Sequence, residues 1–425
     1  MIPPLQERTT WVVARLGAAM HYAVPRILHR ADRLERFYTD FYSSEALIWL
    51  LSSVPKSVRS VLISRALSRV AHDLPQERVR PYPLLGLEYY VRRTLARDPR
   101  TRSEVFLWAG RRFGELVTRD GFGNAGAVYA FNTAAQEIFR AAKQQGLVTV
   151  LEQTIAPRAL EEQLLAEEHR RFPNWELGNN HGAATSETIE RERVEWSLAD
   201  SIICGSEFVR RGVAHCGGQI EKCVVVPYGV DANFCKAVRP PHNGPLRVLS
   251  VGEAGLRKGI AYAAETARLL AGTAEFRWVG SVRCLPDARR EIGRYVQLTG
   301  AVPRNLIFSH FEWADVFFLP SVCEGSATVT YEALMSGLPV VATPNTGSIV
   351  KDGINGFIVP TRDSQAMAER LRRLHLDRRL LSEMQQAAAD TMNVASLESY
   401  EGRLLRALCE CVAAQRSMAH ANPDH

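Results

Sequence analysis

The sequence predicts an α/β protein built from two facing, doubly wound domains. Three observations carry this reading. Short apolar runs alternate with amphipathic stretches from Ala127 onward, a proline-rich break interrupts them near residues 236–245, and the alternation restarts behind the break. Apolar runs separated by amphipathic stretches are the mark of βαβ units whose parallel sheet is buried on both faces. The 425 residues are enough for two such units.

Taken in order, a first strand is expected near Trp11, and "RLGAAMHYAVPRILHRADRLERFYTDF" follows it. Residues 44–120 show no clear period. From Ala127 the chain reads as strand "AVYAF", helix "TAAQEIFRAAKQQG" and strand "LVTVLEQT". Helices from about Ala159 to Arg171 and from Glu187 to Leu198 come next, then strand "SIICGS", helix "EFVRRGVAHCG" and strand "CVVVPYG". "KAVRPPHNGP" combines three prolines and a glycine without periodicity, which makes it a linker. Beyond it lie strand "LRVLSVG", a helix from Ile260 to Leu270, strands "EFRWVG", "YVQLTG" and "VFFLP", a helix from about Ala327 to Met335 and strand "PVVATP". A short strand "GFIV" and helices after Asp363 complete this half. The expected division is residues 1–236, a linker at 237–245 and residues 246–394. A final helix from about Leu397 to Ala414 returns to the first domain, so that 395–425 complete it.

Hydrophobic residues make up 46% and charged residues 23%, an ordinary balance for a globular protein that needs no staple. The net charge of +6 is uneven, because residues 1–120 hold 20 Lys+Arg against 12 Asp+Glu. Such a bias suits an anionic partner, a membrane surface among them, or merely solvated helix faces. No nucleic-acid motif accompanies the charge, so nucleic acid is not expected as a partner. The eight cysteines form no C-x-x-C pair, and several sit in strand-like runs. Reduced, buried thiols in the cytoplasm are the expectation. The opening residues lack the order of a signal peptide, and "EALIWLLSSV" is too short to span a bilayer, which takes roughly 20 apolar residues. Peripheral contact at the inner membrane face, through the basic first half, stays open.

One stretch, "CEGSATVTYEALMSGLPVVAT", places Glu324 just before a helix start and Glu332 inside that helix. Helix N-termini present unpaired N–H groups and partial positive charge, which suits phosphate, and carboxylates accept hydroxyl hydrogen bonds from sugars. Eight residues of helix rise about 12 Å, the reach of a molecule with a hydroxyl-rich ring at each end and a diphosphate between. Two solvated glutamates would look the same. "VGEAGLRKG" adds Arg257 and Lys258 at a strand-to-helix loop, where two cations can neutralise a diphosphate. "VPYGVD" closes the first half beside the linker.

Together "EGSATVTYEAL", "VGEAGLRKG", "VPYGVD" and "SGLPVVATPNTGSIVKDGINGFIVP" resemble the retaining glycosyltransferases of the family-4, group 1 type, from about Ala199 to Pro360. The resemblance implies a GT-B fold with an interdomain cleft, the donor held mainly by the second domain. It implies that Glu324 meets the transferred sugar, that Glu332 meets the ribose of a UDP or GDP sugar, and that Arg257 and Lys258 clamp the diphosphate. Gly325, Ser326, Ala327 and Thr328 would bring backbone N–H groups to the distal phosphate. Two departures stand out. Glu253 occupies the position where the family often carries arginine, and the family's Glu-Gly-Phe-Gly appears here as Glu324-Gly325-Ser326-Ala327.

No Asp-x-Asp triplet occurs, so the expectation is metal-independent hexosyl transfer without a cofactor, to a saccharide or lipid-linked hydroxyl. The first half should bind that acceptor, with Gly17, Ala18 and Ala19 letting a loop approach the donor phosphates. His21 is a further candidate, more simply read as a cap or packing residue, and Glu152, at the end of "LVTVLEQT", is expected to point at the cleft. "GFGNAG" matches G-x-G-x-x-G as a string but precedes a strand instead of linking strand to helix, so it reads as a turn. A non-catalytic nucleotide-sugar binder, and an epimerase or phosphorylase on the same scaffold, are the competing readings.

Overall fold

The computed structural model describes residues 9–43, 73–177, 183–231 and 242–421, with a few positions between 48 and 71. Most of the expected linker, 237–241, lies outside them, as does Cys235.

The first lobe holds β1 (Trp11–Arg15), β2 (Leu34–Thr39), β3 (Val79–Pro81), β4 (Ala127–Phe131), β5 (Val148–Gln153), β6 (Ser201–Cys204) and β7 (Cys223–Val225). They form one sheet in the order β3-β2-β1-β4-β5-β6-β7, every pair parallel. Its helices are α1 (Ala23–Arg30), α2 (Pro83–Leu95), α3 (Pro99–Asp120), α4 (Gln136–Gln144), α5 (Arg158–Arg171), α6 (Ala183–Leu198) and α7 (Glu207–His215). The second lobe holds β8 (Leu246–Val251), β9 (Ala274–Val279), β10 (Val296–Gly300), β11 (Val316–Leu319), β12 (Val340–Ala342) and β13 (Gly356–Ile358). These are again all parallel, in the order β10-β9-β8-β11-β12-β13. Around them pack α8 (Ile260–Leu269), α9 (Pro286–Ile292), α10 (Arg304–Trp313), α11 (Thr328–Met335), α12 (Ser364–Leu376), α13 (Arg378–Ala389), α14 (Met392–Ala395) and α15 (Leu397–Ala421).

Local chemistry fixes many boundaries. Asp98 caps α3 by accepting the Thr101 amide at 2.9 Å, and Pro99 occupies the first helical position. Ser206, Asp363 and Asp377 cap α7, α12 and α13 in the same way. The "GFGNAG" segment is a turn between α3 and β4, as its place before a strand implies. The seven described cysteines are all free.

Among the described residues the lobes meet on more than one side. α15 leaves the second lobe and lies on the first, where Arg403 donates to the Pro227 and Tyr228 carbonyls and Arg30 pairs with Glu401. One apolar cluster runs from Trp11 and Tyr129 through Tyr228 and Tyr400 to Leu249 and Phe317. Opposite, α5 reaches across to α8. The buried Glu168 carboxylate accepts from the Tyr262 hydroxyl at 2.8 Å and from Arg362 Nε at 2.6 Å. Next to it the Trp175 carbonyl accepts the Leu285 amide and Glu176 accepts the Leu256 amide.

Candidate active site

Each sheet has one pair of neighbouring strands at which the order reverses, β1 with β4 and β8 with β11. Ligands of open α/β sheets collect at the carboxyl ends of such strands. In the second lobe the loop after β8 carries Arg257 and Lys258, and the loop after β11 carries Glu324. Backbone bonds tie the two loops together. The Arg257 carbonyl accepts the Val322 amide at 2.9 Å and the Cys323 amide at 3.2 Å, and Arg257 Nη1 donates to the Cys323 carbonyl at 3.2 Å. Gly259 makes this closeness possible. Its φ is +77°, and a Cβ there would lie 1.9 Å from the Pro320 oxygen.

Glu324 stands between the two cations, its Oε1 2.6 Å from Lys258 Nζ and 3.1 Å from Arg257 Nη1. Burial pushes the Glu324 carboxyl up, but Lys258 and Arg257 outweigh it and hold the group below the usual carboxylate range. The cluster keeps one positive charge in surplus, a setting for an anion. It sits at the lobe boundary, where the Glu324 carbonyl accepts the Ala156 amide of the first lobe at 3.3 Å.

Glu332 lies within α11, and Arg304 of α10 takes its Oε1 at 2.5 Å. Its Oε2 is buried without a hydrogen-bond partner among the described residues. Burial pushes this carboxyl up, and Arg304 only partly offsets it. The helical separation of Glu324 and Glu332 that the sequence suggested is not realised. The helix begins at Thr328, so the residues after Glu324 form a loop. α11 has no side-chain cap at its start.

The small residues between the two glutamates are placed as follows. Gly325 serves lobe contact. A Cβ there would meet the Thr154 oxygen at 2.1 Å, and the Gly325 carbonyl accepts from Ser206 Oγ at 2.5 Å. Ser326 Oγ shares a hydrogen bond with the Tyr331 hydroxyl at 2.6 Å and donates to the Gly347 carbonyl at 3.1 Å. The Ala327 amide is given to the Thr346 carbonyl at 3.2 Å, so in this arrangement it does not face an open site. Thr328 is the first residue of α11. Glu253, where the family often has arginine, faces Arg283 at 3.7 Å on the surface.

In the first lobe Gly17 follows β1 with φ +95°, its amide donated to Asp40 Oδ1 at 2.9 Å, and the space where a Cβ would stand is open. A cavity of about 350 Å³ lies beside this loop, lined by Arg15, Phe106, Phe131, Asn132, Thr154 and Ala156, among others. The Arg15 guanidinium stacks 3.9 Å above the Phe131 ring, and its buried Nε has no partner among the described residues. Ala156 belongs both to this cavity and to the contact with Glu324. Glu152 does not point into the cavity as its place at the end of β5 suggested. It is buried, accepting from Tyr129 at 2.6 Å and Tyr228 at 2.8 Å, because those two hydroxyls hold it in the packed interior. The His21 side chain lies outside the described ones.

Sequence reasoning missed Arg15, Arg304 and Glu176. An arginine ending the first strand of a doubly wound sheet was the one available signal, and it points to Arg15.

Residues 245–377 match the family described as Glycosyl transferases group 1. They are a group 1 glycosyltransferase domain. This glycosyltransferase domain contains Arg257, Lys258, Arg304, Glu324 and Glu332. The chain is also similar to the amylovoran biosynthesis glycosyltransferase AmsK of Erwinia amylovora, 30% identical over 37% of this chain and 43% of that protein. It is 35% identical to the D-inositol 3-phosphate glycosyltransferase of Corynebacterium urealyticum over 22% of this chain and 23% of that protein. The match thus spans less than half the length of these relatives. Similarity to solved structures covers the whole fold. Anabaena HepE in complex with UDP and glucose superposes with a TM-score of 0.58 at 15% identity, covering 95% of this chain and 100% of that one. Sucrose-phosphate synthase from Thermosynechococcus elongatus gives 0.59 at 14% identity, covering 96% and 100%. The group 1 glycosyltransferase domain therefore stands on a GT-B fold.

Proposed function

We propose that the protein is a glycosyltransferase that moves a hexosyl group from a nucleoside-diphosphate sugar to a saccharide or lipid-linked hydroxyl, with retention and without a metal. The observation that carries this reading is the Arg257–Glu324–Lys258 cluster at the lobe boundary, within a group 1 glycosyltransferase domain. The UDP bound by the HepE relative supports a nucleotide-sugar donor.

In the proposed reaction Arg257 and Lys258 turn toward the donor diphosphate and stabilise its charge as the sugar–phosphate bond breaks. Glu324, released from one or both cations, accepts hydrogen bonds from hydroxyls of the transferred sugar. Glu332 accepts from the ribose, displacing or sharing Arg304. Amides at the uncapped start of α11 other than the engaged Ala327 amide meet the distal phosphate. The acceptor occupies the cavity beside Arg15, and its hydroxyl attacks from the face the phosphate leaves, passing its proton to that phosphate. A role in polysaccharide biosynthesis fits the name of the amylovoran biosynthesis relative, and the reaction is placed at the cytoplasmic side of a membrane as part of the same proposal.

The test is turnover of UDP and GDP sugars by the purified chain and by Lys258→Ala, with and without chelator. Loss of one fixed donor at a developing anion costs roughly 10²–10³-fold in kcat. Wild-type turnover in Lys258→Ala overturns the clamp, and chelator-sensitive turnover overturns metal independence.

A further inference from the structure

Helix α2 has two faces of opposite use. Toward the protein, Leu85 is buried, and a Cβ on Gly86 would lie 2.9 Å from the Asp40 carbonyl oxygen. Toward solvent, Leu84, Leu87, Val91 and Leu95 are 82, 62, 45 and 72% exposed. Steps of three, four and four residues align these side chains in one stripe along the helix. Single exposed leucines need no explanation, but four in a row on one helix do.

Arg92 lies on one flank of this stripe, Arg97 and Arg100 follow its carboxyl end, and Arg93 lies on the opposite face of the helix beside Tyr89. Arg92, Arg93, Arg97 and Arg100 are all exposed. Arg92 pairs with Glu88 and Arg100 with Glu104, while Arg93 and Arg97 have no carboxylate partner among the described residues. In the sequence, residues 1–120 carry eight more basic than acidic groups. Among the described residues no helix is long and apolar enough to cross a membrane. An amphipathic helix with leucines on one face and arginines beside them lies flat in a lipid interface and favours anionic headgroups.

We propose that α2 docks the protein on an anionic lipid bilayer, with Leu84, Leu87, Val91 and Leu95 entering the acyl boundary and the flanking arginines meeting lipid phosphates. A second copy of the chain is a poorer occupant. A 13-residue helix offers far less than the roughly 800 Å² per partner of a stable interface.

The placement also orients the cleft. α2 follows β3 at the carboxyl edge of the first sheet, and Asp40, against which Gly86 packs, holds the Gly17 amide. α3, on which α2 packs, supplies Arg102, Ser103 and Phe106 to the cavity beside Arg15. Docking through α2 sets that cavity near the headgroups, where a lipid-linked hydroxyl arrives. This last step rests on the glycosyltransferase reading; the docking does not.

The test is co-sedimentation of the full chain with vesicles of phosphatidylcholine alone and with about one third phosphatidylglycerol. Binding at least tenfold tighter to the anionic vesicles is expected, weakening with salt. Leu87→Glu/Leu95→Glu and Arg97→Glu/Arg100→Glu should each lower binding about tenfold or more while far-UV circular dichroism stays unchanged. Equal binding by wild type and both variants, no sedimentation with either vesicle, or a wild-type dimer that Leu87→Glu dissociates would overturn the proposal. Nucleotide-sugar hydrolysis measured in parallel separates the two readings. Hydrolysis that persists in both variants alongside lost binding supports docking, and wild-type sedimentation without hydrolysis supports docking while counting against the enzyme.

Discussion

Arg362 of the second lobe and Glu168 of the first form a buried ion pair at 2.6 Å, and Arg362 holds a left-handed backbone, φ +72°, to reach it. Left-handed geometry costs a non-glycine residue about 1–2 kcal/mol, so the pair must offset strain as well as desolvation. Removing one partner of a buried pair leaves an uncompensated charge. Arg362→Leu should therefore destabilise the chain by about 3 kcal/mol, read from urea unfolding, and Glu168→Leu/Arg362→Leu should recover much of that loss. Equal losses in the single and double variants would show that the pair is not coupled.

Gly325 lies where the lobes approach each other closely. Gly325→Ala forces the β11–α11 loop away from Thr154, whose oxygen would stand 2.1 Å from the new carbon. Overpacking of this kind costs about 1–3 kcal/mol. A lower melting temperature together with a larger radius of gyration in solution scattering is expected. An unchanged radius would mean that the loop yields instead of the lobes.

Glu324 keeps its charge well into the acid range, because Lys258 and Arg257 overcome the effect of burial. Its contribution to stability is present at neutral pH and fades only as pH falls through the lowered folded value. Glu324→Gln should accordingly reduce transferase turnover by the same factor at every pH between about 5 and 8. A factor that shrinks toward the acid end would place the titration of Glu324 inside that window.

Glu195 behaves in the opposite sense. It is fully buried, accepting amides from Thr133 at 2.7 Å and Ala135 at 2.9 Å, and burial raises it to about 7 despite Arg191 nearby. The folded chain thus holds a proton that the unfolded chain has already released, so stability is full below the ordinary carboxylate value and declines as pH rises through about 7. Thermal melts of wild type should fall over that interval more steeply than those of Glu195→Gln. Parallel pH profiles would refute the assignment.

Arg304 supplies a further test of the site. Arg304→Ala leaves Glu332 buried without its cation, so the carboxyl rises further. Nucleotide affinity should then weaken more at low pH than it does in wild type, measured by titration calorimetry. A pH profile identical to wild type would remove Glu332 from the donor site.

What could be read from the chain divides along physical lines. Buried parallel strands such as "AVYAF" and "VFFLP" announce themselves because both faces are apolar, and the helices between them keep their amphipathic period. β2, β3, α2 and α3 were hidden. α2 exposes Leu84 and Leu87 beside buried Leu85, which erases the contrast that periodicity needs. α9 has only seven residues, and nothing in "EIGRYVQLTG" separates it from the strand that follows. Arg257, Lys258 and Glu324 were visible as residue types in loops. Their mutual pairing was not, because it depends on β8 lying beside β11, a fact of strand order. Arg304 reaches Glu332 from a separate helix for the same reason.

The return of α15 to the first lobe has a consequence for biosynthesis. Tyr228 and Val230 close the first sheet's apolar side only once Tyr400 and Ser396 have arrived. A ribosome must therefore finish the entire second lobe before the first can complete its interior, and until then the nascent amino-terminal half carries an open seam for chaperones to shield.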